Sequence, residues 1–462
     1  MRSATFDVVV VGSGPAGQQA AVTSADAGRR VALVERKPRL GGVGLQTGTI
    51  PSKALREMAY AEAVASRSGM RQALARAASR PNAMLLDAIH KKDDVINQQE
   101  SVLLNQLMHS GVALIPGEAA FVDPHTLDVK SHSGVQRLVA ESIILATGSR
   151  PRRPEWVPLD RERVHDSTSI LHMTRLPQQL VVVGGGVIAC EFASIYAALG
   201  VAVTVVDRHQ QVLEWLSGDI VAALTDAMAT MGIEFVMGQR VTEIVRDHDL
   251  VTVTLSGGAT LESDCLLYAM GRRPNTESLE LQRAGVEPDK YGWIGVDEQF
   301  RTAVSHIYAI GDLIGKPALA SAALEQGRVA ARYACGEMVA ATSAEFPVAI
   351  YTIPEVSSIG RSERELQEQG VEFVTGYGRF NESARGKIIG DYTGMVKLNV
   401  ERSSRRVVGV HIVGESASEL IHIGQLVRSY NGVVDDLVRN VFNYPTLAEC
   451  YRMAALDCLR QL

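Results

Sequence analysis

The sequence predicts an α/β chain: two parallel-sheet modules, followed by an α+β domain. Three observations predict it. One grammar of strand, glycine turn, helix and strand runs from Phe6 to Glu35 and recurs from Gln179 to Asp207. The strands in both copies are continuous β-branched runs, as expected where both faces of a parallel sheet are covered. Beyond Glu345-Phe346-Pro347 the pattern changes to alternating apolar runs, Met395–Val400 and Val407–Val413, and then to helical spacing. That order reads as an antiparallel sheet with helices.

The first copy is Phe6–Val11, the turn Gly12-Ser13-Gly14-Pro15-Ala16-Gly17, an Ala-rich helix, and Arg30–Glu35. The second is Gln179–Val183, Gly184-Gly185-Gly186-Val187-Ile188-Ala189, a helix, and Val201–Asp207. The copies are too far apart for a solenoid repeat, so they read as separate modules. The Pro- and Arg-rich stretch Ser149–Pro158 reads as a crossing between domains, with Arg150, Arg152 and Arg153 as solvated loop charges. The expected division is 1–150, 151–275, 276–344 and 345–462, the first and third segments forming one domain. It accords with a length of 462 residues at roughly 150 per domain.

Bulk composition narrows the function. Apolar residues make up 46% and charged residues 21%, and the net charge is −6. No basic field dominates, so nucleic acid is not an expected partner. The five cysteines, Cys190, Cys265, Cys335, Cys450 and Cys458, form no C-x-x-C pair, which argues against a disulfide scaffold and a zinc cluster. No metal is expected. No run of about 18 apolar residues appears, and a strand starts almost at once instead of a secretory leader. A cytoplasmic location is the expectation.

The glycine turns carry the chemistry. Each follows a strand and opens a helix, and an acidic residue closes the next strand: 21 positions from Gly14 to Glu35, and 21 from Gly186 to Asp207. Glycines there let backbone approach a pyrophosphate at a helix N-terminus, and the carboxylate accepts hydrogen bonds from the adenosine ribose. The alternative is a tight turn with no ligand. Gly12, Gly14, Gly17, Glu35 and Arg36 are the binding candidates in the first Rossmann-like module. Gly184, Gly186, Asp207 and Arg208 are those in the second.

With these motifs in place, the chain resembles the glutathione reductase/dihydrolipoamide dehydrogenase family of flavoproteins over nearly its whole length. Ala146-Thr147-Gly148 resembles the strand end that follows the first FAD half. Gly271-Arg272-Arg273-Pro274-Asn275 resembles the return from the NAD(P) domain. Tyr308-Ala309-Ile310-Gly311-Asp312 resembles the second FAD fingerprint, whose Asp contacts the ribityl chain. The resemblance implies bound FAD, NAD and NADP as substrates, an FAD domain split around the NAD(P) domain, and a C-terminal dimerisation domain giving a homodimer or higher homo-oligomer. Thr147, Gly148, Gly271, Gly311 and Asp312 join the cofactor-binding set.

The family's disulfide reductases carry a redox cysteine pair in the frame Gly41–Lys53. Gly44 and Thr49 stand at those positions, and neither supplies the thiolate that disulfide exchange needs. Tyr444 stands where the family has an acid–base histidine, and a phenol with a pKa near 10 is a poor proton shuttle. In Gly48–Lys53, Val95–Gln99, Cys265–Ala269, Tyr351–Glu355, Ile421–Gln425 and Phe442–Thr446 the chain resembles the soluble, Si-specific pyridine nucleotide transhydrogenase group. Some of that group keep a cysteine at the Gly44 position; this chain does not. The resemblance implies hydride transfer between NADPH and NAD by a ping-pong route through one flavin, with Lys53 and Glu191 as catalytic residues, an ion pair beside flavin N5. The alternative for the pair is two helix-surface charges. Asp207 favours the free 2′-hydroxyl of NAD; Arg208 faces a 2′-phosphate or is a solvated charge, and His209 follows it. His411 and His422 read as packing or interface residues. An NAD(P)H diaphorase or quinone reductase, or an idle FAD-loaded sensor, remains open on this scaffold.

Overall fold

The computed structural model describes residues 2–67, 81–339 and 345–462. The chain divides into two compact units. The first comprises 1–54, 88–152 and 271–342; the second comprises 55–87, 153–270 and 343–462.

A parallel sheet forms the centre of the first unit. Its strands lie in the order Ala113–Pro116, Val31–Glu35, Arg2–Val11, Gly134–Leu145 and Ile307–Ala309. The valine run at the start of the chain is explained by what covers the sheet. Val9 and Val11 pack in one apolar cluster with Ile143 and Leu145, while Val8 and Val10 pack in another with Ile144 and Ala20. A strand buried on both faces has no polar face to alternate with. The long strand Gly134–Leu145 changes partners midway. Its first half pairs antiparallel with Thr126–Ser131, and its end pairs parallel with Ile307–Ala309.

The crossing segment is ordered. Ser149–Pro151 pairs antiparallel with Arg272–Pro274, so the two crossings brace each other. Two of its arginines, partly exposed as the sequence suggests, also carry ion pairs. Arg150 reaches both carboxylate oxygens of Glu277, at 2.8 and 2.5 Å, and the Asn275 side chain at 3.0 Å. The guanidinium holds Glu277 below the usual carboxylate range. Arg153, in the second unit, pairs with buried Asp166 at 2.6 Å. Composition marked a loop; partners distant in sequence made it a ribbon.

Within the second unit, one parallel sheet has the order Ile233–Met237, Ala202–Asp207, Gln179–Val183, Cys265–Tyr268 and Val164–Asp166. A second sheet, antiparallel, has the order Val348–Ile350, Glu355–Gly360, Val407–Gly414, Met395–Glu401 and Phe373–Arg379. Helices Ala417–Ser429, Val434–Arg439 and Glu449–Leu459 follow it and share its core. Every residue of the alternating run Met395–Val400 is buried. The polar face holds Lys397, 0% exposed, which bonds both oxygens of Asp219 at 2.7 and 2.8 Å and pairs with Glu363. Among the described residues no helix is long and apolar enough to cross a membrane.

Candidate nucleotide-binding site

The candidates in the first unit gather at one edge of its sheet. Val34, Val11, Leu145 and Ala309 lie side by side in register, so the residues after them emerge together. Those residues are Glu35, Gly12, Thr147 and Gly311, taken from four strands. Ligands of open parallel sheets bind outside the carboxyl ends of the strands.

Each glycine has its own reason. Gly12 has φ +105°, and a side chain there would collide with the Ala146 carbonyl oxygen. A side chain at Gly17 would collide with the Gly12 carbonyl. Both are demanded by the fold. Gly14 is not: its φ is −65°, and a Cβ there would meet nothing within 4 Å. Gly186 repeats this, with φ −83° and open space, while Gly184 has φ +123° and approaches Ala269. Neither backbone conformation nor packing calls for glycine at 14 and 186. Helices Pro15–Asp26 and Val187–Ala198 begin at these residues with no side-chain cap and no acid in the first turn. Their first N–H groups and positive dipole ends are left for an anion. The two turns fit a pyrophosphate each.

Ser13, which the sequence reading passed over, holds the first carboxylate. Its N–H and Oγ–H donate to Glu35 Oε2 at 3.0 and 2.7 Å, Lys37 N–H donates to Oε1 at 2.8 Å, and Gly41 N–H donates to Ser13 Oγ at 3.0 Å. An ionised carboxylate accepts about four hydrogen bonds, so Glu35 keeps capacity for a ribose hydroxyl. Arg36 pairs with Glu118 at 3.3 Å, both about half exposed.

Asn275 ties the crossing to the sheet edge. Its amide donates to the Thr147 carbonyl at 2.8 Å, its N–H donates to the Gly148 carbonyl at 2.9 Å, and Thr147 Oγ1 donates to the Asn275 carbonyl at 2.8 Å. Gly148 and Gly271 have φ +66° and +88°. Gly311, at φ +70°, donates its N–H to Gln326 Oε1 at 2.7 Å. Asp312 accepts from Ser149 Oγ at 2.6 Å, and Arg272 Nε donates to the same hydroxyl at 2.7 Å. One arginine and one serine thus fix the carboxylate. The motif Gly271–Asn275 pointed to this segment, but no local pattern disclosed the bonds.

In the second unit, Asp207 closes its strand beside Gly184. Its Oδ2 accepts the Gly185 N–H at 2.6 Å and its Oδ1 the His209 N–H at 2.8 Å. Arg208 is exposed and makes no hydrogen bond or ion pair among the described residues. Glu191, 5% exposed, accepts the Tyr351 N–H at 2.9 Å, and nearby Ser194 Oγ accepts that of Ile353 at 3.1 Å. Lys53 Nζ, in the first unit, lies 3.4 Å from Ser52 Oγ. His411 is buried on Ser358 Oγ at 2.7 Å, a packing residue, and His422 is exposed beside Gln425.

All five cysteines are buried free thiols. Burial pushes Cys190, Cys265 and Cys458 up to about 12 and Cys450 up to about 11, and raises Cys335. Such thiols stay protonated at neutral pH and are poor nucleophiles.

Comparison with known proteins agrees with this geometry. The family model described as pyridine nucleotide-disulphide oxidoreductase matches residues 6–327, and that of the family's dimerisation domain matches 346–455. A soluble pyridine nucleotide transhydrogenase of Mycobacterium bovis is 43% identical over 462 residues, covering 99% of this chain and 98% of that one. One of Yersinia enterocolitica is 38% identical with the same coverage. Two solved structures share the fold. The HOCl-induced flavoprotein disulfide reductase RclA of Escherichia coli has a TM-score of 0.88 at 26% identity, covering 98% of this chain and 99% of that one. LpdA of Mycobacterium tuberculosis has a TM-score of 0.88 at 28% identity, covering both chains fully. With two uncapped glycine turns, each followed by a strand that ends in a carboxylate, and matches over nearly its whole length, the chain belongs to the pyridine nucleotide-disulphide oxidoreductase family and is an FAD-binding oxidoreductase of nicotinamide dinucleotides.

Proposed function

We propose that this enzyme transfers hydride between NADPH and NAD without a redox-active disulfide. The observation that carries the reading is the frame Gly41–Lys53, in which Gly44 and Thr49 occupy the places of a cysteine pair, while all five thiols of the chain are buried elsewhere. Full-length relatives named transhydrogenases support it.

The residues have these roles in the proposal. Gly12, Gly14, Gly17, Glu35, Arg36, Thr147, Gly148, Gly271, Gly311 and Asp312 hold FAD, which when bound supplies an acceptor and donor of hydride. Gly184, Gly186, Asp207 and Arg208 hold the nicotinamide dinucleotide. Lys53 places a cation where negative charge develops on reduction, and Glu191 orients it; preorganised charge in a dry site lowers the barrier. Donor and acceptor nucleotides use one place in turn, so kinetics are ping-pong. Domains divide at 150, 275 and 344, and residues 345–462 make the homodimer.

The test is steady-state reduction of a thio-analogue of NAD by NADPH, with a quinone, lipoamide and glutathione disulfide as competing acceptors. The nucleotide should be the preferred acceptor, with parallel lines in double-reciprocal plots. A quinone preferred by tenfold or more in kcat/KM would replace this reading with a quinone reductase. Turnover with none of them would leave a binding subunit.

A further inference from the structure

Glu191 sits in a buried cluster that its own helix does not build alone. Helix Val187–Ala198 carries Glu191, 5% exposed, and Ser194, fully buried. The segment Tyr351–Glu355 runs past it. Tyr351 N–H donates to Glu191 Oε1 at 2.9 Å, and Ile353 N–H donates to Ser194 Oγ at 3.1 Å. Ser194 Oγ in turn donates to the Glu191 carbonyl at 2.9 Å. Tyr351 and Ile353 thus turn their N–H groups to this helix.

The residue between them faces a different partner. The Thr352 carbonyl accepts from Arg56 Nη2 at 3.3 Å, and the same nitrogen pairs with Glu355 Oε1 at 3.2 Å. Glu355 Oε2 accepts the Ser418 N–H at 3.0 Å, at the start of helix Ala417–Ser429. Arg56 therefore grips the segment at Thr352 and Glu355, while Glu191 and Ser194 grip it at Tyr351 and Ile353. Arg56 lies in helix Thr49–Arg67, three residues after Lys53. The Arg56 and Glu355 side chains are both buried.

Stability does not explain the pair. A buried ion pair loses in desolvation about what it gains in attraction, and apolar side chains of like volume often serve as well. Arg56 Nε adds a cost, because it has no hydrogen-bond partner among the described residues. What an arginine supplies and an apolar residue does not is direction, since its planar fork holds its acceptors at fixed angles. The Thr352 carbonyl and the Ile353 N–H belong to one planar peptide. Arg56 on one side of that peptide sets the angle at which Ser194 is met on the other. We propose that Arg56 is a positioning residue for Glu191, holding its carboxylate through the segment Tyr351–Glu355. The proposal rests on the reading that Glu191 orients Lys53 during flavin reduction.

Anaerobic stopped-flow reduction of the holoenzyme flavin by NADPH tests it. The variants are Arg56→Met, Arg56→Lys, Ser194→Ala and Glu191→Gln, and each of the first three combined with Glu191→Gln. Arg56→Met should lower the limiting rate roughly threefold to tenfold, no further than Glu191→Gln does, at an unchanged half-saturating nucleotide concentration. Ser194→Ala should act in the same direction. Arg56→Lys, which keeps the charge without the fork, should recover part of the loss. In the Glu191→Gln background each should change the rate by less than about twofold, because the charge they position is gone. A wild-type limiting rate in Arg56→Met, or an equal loss in both backgrounds, would overturn the proposal. If Arg56→Met does not fold, Arg56→Lys and Ser194→Ala decide by the same cycle. Glu191→Gln at the wild-type rate would remove the role assigned to Glu191, and this proposal with it. The half-reaction precedes the choice of acceptor, so a failure here is separate from a failure of nucleotide-to-nucleotide transfer.

Discussion

At the residue scale, the glycine turns separate demands of the fold from demands of a ligand. Gly12 has a positive φ and abuts the Ala146 carbonyl, whereas Gly14 has an ordinary φ and open space. Gly14→Ala should therefore fold and melt like the wild-type apoprotein yet be purified with less than a tenth of its flavin. Gly12→Ala should be unstable with or without flavin. Equal flavin content in Gly14→Ala and wild type, read from the visible absorbance per chain, would remove the pyrophosphate from that turn. Lys53 gives a second residue-scale prediction. Lys53→Met should keep FAD and nucleotide affinity but lower the limiting rate of anaerobic reduction, since its charge acts mainly as negative charge arrives. Unchanged limiting rates in stopped flow would make Lys53 structural. The spacing of Gly14 to Glu35 and Gly186 to Asp207 was legible because the motif is local. Ser13 on Glu35, Ser149 on Asp312 and the Tyr351 N–H on Glu191 were not, since each bond joins residues that only the fold brings together.

At the scale of elements, the strands Met395–Glu401 and Val407–Gly414 carry a polar layer inside the molecule. Lys397 lies opposite His411 in register. Burial, with help from the Lys397 charge, pushes His411 down to about 4 from an ordinary 6.5. Because the folded value is the lower one, the unfolded chain takes the proton first as pH falls. Stability from the buried neutral ring is whole above about pH 6.5 and lost between there and about 4, at ~1.4 kcal/mol per pH unit. Denaturant midpoints of wild type should thus fall more steeply over that window than those of His411→Gln. Parallel curves would mean that His411 takes up its proton while folded. The antiparallel sheet itself was legible from alternation at Met395–Val400, but the burial of its polar residues was not. A lone lysine in an apolar run looks the same on a solvated edge as over a buried pair of carboxylates; Asp219, which decides between them, lies in another domain of the sequence reading. The ion pairs of the crossing arginines were not legible either: Glu277 lies 127 residues from Arg150, and Asp166 lies 13 from Arg153 across a loop.

At the scale of the whole molecule, the glycine frames, the two carboxylates and the family's dimerisation segment describe a flavoprotein that handles nicotinamide dinucleotides. On the proposed reading, what divides this chain from disulfide reductases of similar fold is the chemistry beside the flavin. Gly44 and Thr49 offer no sulfur, and Cys190, Cys265, Cys335, Cys450 and Cys458 are buried with raised thiol pKa values. A flavin with a redox disulfide stores four electrons; a flavin alone stores two. Anaerobic titration of the holoenzyme with dithionite, followed through the visible spectrum, counts them. Reduction should be complete at one two-electron equivalent per FAD, with no long-wavelength thiolate band on the way. Uptake of a second equivalent, with such a band that a thiol alkylator abolishes, would contradict hydride transfer through a flavin alone.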